Sequence, residues 1–221
     1  MTTKAEFIAN ISKRLGRSSI EPPKDRVVGA PIFWQQYHLS SSERLKKFVD
    51  EVNELGAHAT AYTTFDDLQA AVRQLLSELN PPNIVAWRGE TAEQWQFDRL
   101  LAGHSILEWR RETFLQDVLH AKVSVTAVDY AIAETGSLVV CTDKTKPRVA
   151  SLVSDVHIAL VRSSQLYTRM GEVLEQIANN GDIPSSLHFI TGPSRSSDIE
   201  NDLSIGVHGP AALYVFVLAE Q

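Results

Sequence analysis

Three features of this 221-residue sequence predict an α/β fold built on a parallel sheet. From about residue 56 onward, short runs rich in β-branched and aromatic residues alternate with longer segments of helical period, the pattern of strands joined by crossover helices. The last run, "ALYVFVL" (212–218), is apolar throughout, as a strand covered on both faces is. The chain is also long enough, at 43% hydrophobic residues, to bury a core without disulfide staples.

The elements follow in order. Thr3 and Glu6 have capping-box spacing, Phe7, Ile8, Ile11 and Leu15 share a helical face, and Gly16 fits the stop, so a short helix opens the chain. "RSSIEPPKDRVVGAPIFWQQY" has three prolines and no period, which predicts an arm. Its Ile32, Phe33, Trp34 and Tyr37 are too apolar for a free linker, so the arm is expected to dock on the domain or on a second subunit. Leu45, Phe48, Val49, Val52 and Leu55 predict a second helix over 41–55, closed by Gly56. These elements suggest a division into residues 1–55, the N-terminal helices and docking arm, and 56–221, the α/β domain.

Within that domain "HATAYT" reads as a strand, "FDDLQAAVRQLLSEL" as a helix, "NIVAW" as a strand and "TAEQWQFDRLLAG" as one helix. "SILEW" is a weak strand and "ETFLQDVLHA" a helix. "KVSVTAVDYAIAETGSLVVCT" holds two β-rich runs around Glu134 to Ser137, and Gly136 suits the turn of a hairpin. "HIALVR" is a strand, "SQLYTRMGEVLEQIANN" a helix ending at Gly181, and "LHFIT" a strand.

Charge and cysteine usage narrow the function. A net charge of −6, with no lysine or arginine run beyond two residues, argues against a nucleic-acid module. Cys141 is the single cysteine, so the chain forms no intrachain disulfide and cannot by its cysteines hold an iron–sulfur cluster. No signal-peptide pattern and no apolar stretch of 18 residues occur, so the expectation is a cytoplasmic protein without a membrane span.

Three small-residue clusters carry the possible chemistry, and ligands in open α/β sheets gather beyond the carboxyl ends of strands. In "TGPSRSSD" (191–198), backbone N–H groups near Gly192 and Ser194, the Ser194, Ser196 and Ser197 hydroxyls and the Arg195 guanidinium suit a carboxylate or phosphate. The bland alternative is a surface loop whose serines satisfy their own backbone. In "GVHGP" (206–210), Gly206 and Gly209 flank His208, a residue able to move protons near neutral pH. In "AETGS" (133–137), Glu134 precedes Gly136 and Ser137 and is the second candidate base. All three clusters are expected at one pocket mouth. Asp155 and His157 read as a hydrogen-bonded pair rather than metal ligands, Cys141 as a packed small hydrophobe, and Lys144, Lys146 and Arg148 as a solvated basic loop. No metal site, Walker motif, dinucleotide fingerprint or G-x-S-x-G elbow is present.

Taken together, "AIAETGSLVV", "RVASLVSDVHIALV", "FITGPSRSSDIE" and "GVHGPAALYVFVL", in this order, resemble the lactate utilisation protein C family, also called the LUD-domain family. The resemblance is strong from Val123 to Leu218 and is one of layout in the N-terminal half. Ser154 stands where the family more often has proline. The resemblance implies a three-layer, Rossmann-like α/β sheet of the ribose-phosphate isomerase and coenzyme A transferase group, with an N-terminal helical arm. It also implies a role in oxidising L-lactate to pyruvate beside two iron–sulfur proteins, the clusters residing in those partners and no cofactor in this chain. Two other readings stand beside it: an enzyme or sensor for a phosphorylated or coenzyme A-type anion, and a non-catalytic assembly module.

Overall fold

A computed structural model describes residues 3–17, 36–107, 121–143, 146–181, 184–197, 203–205 and 209–220. The chain divides into two units, Met1–Gln36 and Tyr37–Gln221. In the first, helix α1 (Lys4–Arg14) begins with the capping box expected of Thr3 and Glu6: the Thr3 N–H donates to Glu6 Oε2 at 2.7 Å, and the Glu6 N–H donates to Thr3 Oγ1 at 3.3 Å. Phe7, Ile11 and Leu15 are exposed along one side. Of the proposed docking residues, Ile32, Phe33 and Trp34 lie outside the described residues, and Tyr37 is exposed at the start of the second unit.

The second unit is ordered by a six-stranded sheet. Helix α2 (Ser41–Glu54) leads to β1 (His58–Tyr62), and α3 (Phe65–Leu79) leads to β2 (Ile84–Ala86). Two short helices, α4 (Glu90–Gln94) and α5 (Phe97–Leu100), precede β3 (Ile106–Leu107), and β4 (Val123–Ala127) follows. After a smaller sheet come β7 (Val156–Arg162) and, last, β12 (Ala212–Leu218). The order is β1-β12-β7-β4-β2-β3, and every neighbouring pair is parallel. The α/β expectation is therefore met.

The core explains the sequence pattern. Every side chain of β4 is buried, as is Val215 to Leu218 of β12, because helices and loops cover both faces. Phe48 and Val52 of α2, and Leu68, Val72 and Leu76 of α3, fill the same core. Helix α2, grouped with the N-terminal segment on sequence, thus packs within the second unit. On edge strand β1, His58 stacks on Tyr214 and Tyr62 on Phe216, at centroid separations of 4.9 and 5.8 Å.

A second, four-stranded sheet has the order β8-β5-β6-β9. Strands β5 (Tyr130–Ile132) and β6 (Ser137–Thr142) form the expected hairpin, with Gly136 at φ +60° in the turn. Strand β8 (Leu166–Tyr167) and β9 (Ser186–Ile190) flank it, and helix α6 (Met170–Asn179) packs on it through Val173 and Ile177. The small two-stranded pair of β10 (Arg195–Ser197) and β11 (Leu203–Ile205) is antiparallel. Cys141 packs against the satellite core of Ile132, Val139, Val173 and Ile177, as expected of a small hydrophobe.

Four expectations need correction. The single helix over 91–103 is two, broken at Gln96, whose φ of 48° lets Trp95 and Phe97 both turn inward. The helix over 164–180 starts only at Met170. Before it, residues 166–167 pair with β5, and the Glu172 carboxylate accepts from the Thr168 and Arg169 N–H groups at the new helix start. Asp155 and His157 are not paired with each other. The Asp155 carbonyl accepts from Ala211 and Ala212, and the His157 ring meets Thr126. Lys146 is not a solvated loop cation: its ammonium donates to Asp129 Oδ1 at 2.6 Å, with 12% of the side chain exposed. Residues 108–120, which carry the helix expected over 112–121, and Lys144 lie outside the described residues.

Candidate functional site

Two of the three clusters meet on the smaller sheet. The segment 133–137 turns between β5 and β6, and 191–194 leaves β9, which pairs with β6. Their hydroxyls form a chain: Thr135 Oγ1 and Ser137 Oγ are 2.7 Å apart, and Ser137 Oγ and Thr191 Oγ1 are 2.8 Å apart. Ser137 is buried at the centre of that chain. Backbone contacts hold Glu134 in place, its N–H donating to the Thr168 carbonyl at 3.0 Å.

Helix α2 seals this corner, and the glycines are its seats. A Cβ at Gly136 would lie 2.8 Å from the Val52 backbone nitrogen and 3.0 Å from the Glu51 carbonyl carbon. One at Gly192, where φ is +82°, would lie 3.2 Å from Leu55 Cβ. Both positions combine a left-handed backbone with close approach, which only glycine tolerates without strain. The closeness in each case is to α2, so packing by itself accounts for these two glycines.

The third cluster joins through Ser194. Its N–H donates to the Pro210 carbonyl at 2.8 Å, and a Cβ on Gly209 would meet Ser194 Cβ at 3.4 Å. The 209–210 segment then enters β12, held by the Asp155 carbonyl just before β7. This corrects the expected location. Residues 206–210 precede their strand, so the convergence lies at the amino ends of β7 and β12, not beyond carboxyl ends. Gly206 and His208 lie outside the described residues. Arg195 and Ser196 are placed by their backbone in β10, opposite Ile205 and Ser204 of β11, and their side chains lie outside the description. The structure therefore brings together Glu134, Gly136, Ser137, Gly192, Ser194 and Gly209.

One charged group near this corner was not legible in the sequence. Lys47 of α2 donates to Glu51 Oε1 at 2.7 Å. That bond, opposed by burial and reinforced by the charges of Glu51, Tyr37 and Glu134, holds the ammonium above its usual range. Lys47 thus sits within electrostatic reach of Glu134, although 87 positions separate them. Nothing in the local pattern "SSERLKKFVDEVNE" distinguishes it from the exposed Lys46 one place earlier. The corner offers hydroxyls, a carboxylate and an ammonium, a set able to orient a small hydroxy acid and accept its hydroxyl proton.

The amino ends of β4 and β7 carry a second polar group, fully enclosed. His157 is 0% exposed, its Nε2 lies 2.8 Å from Thr126 Oγ1, and its Nδ1 meets no partner among the described residues. Burial alone lowers its pKa to about 4, so the ring is neutral near pH 7. Nearby, Ser154 Oγ donates to Ser124 Oγ at 2.6 Å. Ser154 therefore has a structural task, joining the turn before β7 to β4. Among the described residues no group of three or more His, Cys, Asp or Glu side chains is placed to hold a metal ion, and no helix is long and apolar enough to cross a membrane.

Comparison with known proteins gives a consistent result. Residues 45–218 match the family described as LUD domain. A protein named lactate utilization protein C from Halalkalibacterium halodurans is 28% identical over 223 residues, covering 96% of each chain. A protein of the same name from Bacillus subtilis is 32% identical over 164 residues, 68% of each chain. A crystal structure of a DUF162 family protein from Deinococcus radiodurans superposes with a TM-score of 0.61 at 27% identity, covering 81% of this chain and 99% of that one.

Proposed function

The chain belongs to the LUD domain family, and from that premise we propose that it serves lactate utilisation as the cluster-free component of a system that oxidises L-lactate to pyruvate with two iron–sulfur proteins. The observation that carries this reading is similarity to proteins named lactate utilization protein C along nearly the whole of both chains. The cysteine count agrees: Cys141 alone cannot ligate a cluster, which fits a cluster-free component whose electron acceptor lies in its partners. Oxidation of lactate to pyruvate releases two protons and two electrons: the hydroxyl proton would pass to a base of this chain, the C2 hydrogen would be released as a second proton, and the two electrons would be taken up one at a time by the clusters of the partner proteins.

The site for the small carboxylate is the convergence at the end of α2. Glu134, or His208, takes the hydroxyl proton. Arg195 clamps the carboxylate, with Ser194 and Ser196 donating beside it, and Lys47 adds positive charge. These assignments rest on the meeting of the 133–137, 191–194 and 209–210 segments and on the chemistry of their residues.

The test has two parts. Purified chain is heated with L-lactate, D-lactate, pyruvate, a sugar phosphate or coenzyme A. A ligand that binds the folded state raises the melting temperature. L-lactate or pyruvate should do so, and Arg195→Ala should abolish the effect while preserving the melting temperature of the free protein. Reconstitution with the two iron–sulfur proteins should then give L-lactate-dependent dye reduction that falls at least tenfold with Glu134→Gln or His208→Ala. Stabilisation by sugar phosphate or coenzyme A alone overturns the reading in favour of a phosphorylated-anion site. Dye reduction that proceeds equally well without this chain removes it from the reaction.

A further inference from the structure

Strand β6 starts at Ser137, in the Glu134 corner, and ends roughly 17 Å away at Thr142. At that far end lies a cavity of about 530 Å3 that the lactate reading does not use. One wall is the end of the β6–β9 pair, with Thr142, Ser185 and Ser186. The other is Pro147, Arg148 and Val149, where the chain enters the helical turn Arg148–Ser151. The volume is within the range of small-molecule sites, about 300–1,000 Å3.

Hydroxyls fasten the strand end. Ser185 Oγ donates to the Thr142 carbonyl at 3.0 Å, and Thr142 Oγ1 donates to the Ser186 carbonyl at 3.3 Å. These bonds hold the wall in place before a ligand arrives, which spares part of the ordering cost of binding. Ser186 is placed differently. Its Oγ lies 2.6 Å from Nε2 of His188, two residues along the same strand. When Nε2 carries its hydrogen it donates to Ser186 Oγ, and the serine O–H is then free to donate into the cavity.

The facing wall carries unbalanced positive charge. In the second unit, Arg44, Arg73, Arg99, Arg162 and Arg169 each donate to a carbonyl or carboxylate, and Arg88 also has a partner. The Arg148 guanidinium makes no hydrogen bond or ion pair among the described residues, and it is exposed at the cavity. The Asp143 carboxylate, on the same wall, is taken up by Lys146: it accepts from the Lys146 N–H at 2.9 Å and lies 3.7 Å from the ammonium. Burial, followed by the charge of Arg148, lowers the pKa of His188, so the two basic groups are within electrostatic reach of each other. An anion between the walls would relieve that repulsion. A tetrahedral anion suits donors converging from two walls, whereas one guanidinium fork already saturates a planar carboxylate. We propose that this cavity binds a phosphate monoester, its phosphoryl oxygens accepting from Arg148 and Ser186, with His188 behind the serine as the donor that orients it. The site lies at the other end of β6 from Glu134 and stands or falls without the lactate reading.

The experiment is calorimetric titration of the full chain with glycerol 3-phosphate, with inorganic phosphate and acetate as the arms that separate monoester, free ion and carboxylate. Glycerol 3-phosphate should bind, more tightly than inorganic phosphate and far more tightly than acetate. Arg148→Ala should weaken that binding at least about tenfold, and Ser186→Ala roughly two- to tenfold. Arg148→Ala should leave any stabilisation by L-lactate unchanged, which separates this site from the Glu134 corner. Circular dichroism and the melting temperature verify that each variant is folded. Four results overturn the proposal: no binding of glycerol 3-phosphate at millimolar concentration, inorganic phosphate bound as tightly as the monoester, acetate bound as tightly as the monoester, or Arg148→Ala binding as the parent does.

Discussion

Acid should destabilise this protein through one residue, His157. The ring lies at 0% exposure between β4 and β7, touches Thr126, and has its pKa lowered by burial to about 4 from the model-peptide value of 6.5. Between these values the unfolded chain holds the proton and the folded chain does not, so stability rises with pH across that window. The contribution is fully present above about pH 6.5 and is lost as pH falls toward 4. At about 1.36 kcal/mol per pH unit the full loss is roughly 3 kcal/mol, and most of it is reached by pH 4.5. Against a typical domain stability of about 5–15 kcal/mol that is readily measured. His157→Gln keeps a polar group facing Thr126 and removes the titration. Urea denaturation of both proteins at pH 7.5 and 4.5 should show the parent losing about 2–3 kcal/mol more than the variant. Other acid-sensitive groups are common to both proteins and cancel in that difference. Equal losses would refute the reasoning and mean that water or a shifted strand relieves the ring's burial.

Other consequences are open to similar measurement. Gly136→Ala places a methyl against the Val52 nitrogen in a left-handed turn, and should cost at least about 2 kcal/mol in urea denaturation, while Gly181→Ala, at a φ of +78° with open space around it, should cost about 1 kcal/mol. Asp129→Asn leaves the largely enclosed Lys146 ammonium with only its longer, 3.7 Å ion pair to Asp143, and should cost about 2 kcal/mol, less than a fully buried pair because 23% of the Asp129 side chain meets solvent. Burial, followed by the charge of Asp129, pushes the Cys141 thiol up to about 11, so alkylation at pH 8 should run about a hundredfold slower than for an ordinary thiol and recover in urea. The isolated chain should be colourless, and stoichiometric iron with labile sulfide in it would contradict the reading of Cys141.

Much of the fold was legible because period and capping are local. Ser40 and Glu43 cap α2 by the same reciprocal bonds that Thr3 and Glu6 make for α1, and the helix runs where Phe48 and Val52 repeat. The break at Gln96 was not legible. Trp95 turns inward because the Arg162 guanidinium covers its ring at 4.5 Å, and Arg162 is 67 positions away. Nor did apolar alternation tell that β4 belongs to the parallel sheet while β5, three residues later, opens a separate one.

The candidate site divides along the same line. Composition and spacing by themselves determined the α/β class, the hairpin turn at Gly136, the inability of Cys141 to hold a cluster and the motifs worth following. Those properties depend on residue type and on neighbours a few positions away. Tertiary structure alone decided that Gly209 and Pro210 meet Ser194 at the amino end of β12, that α2 requires Gly136 and Gly192, that Lys47 stands near Glu134, and that His157 is enclosed and neutral. Periodicity records whether a side chain is buried, not what it is buried against. Close approach, charge coupling and desolvation are set by atoms that the chain brings together from dozens of residues apart.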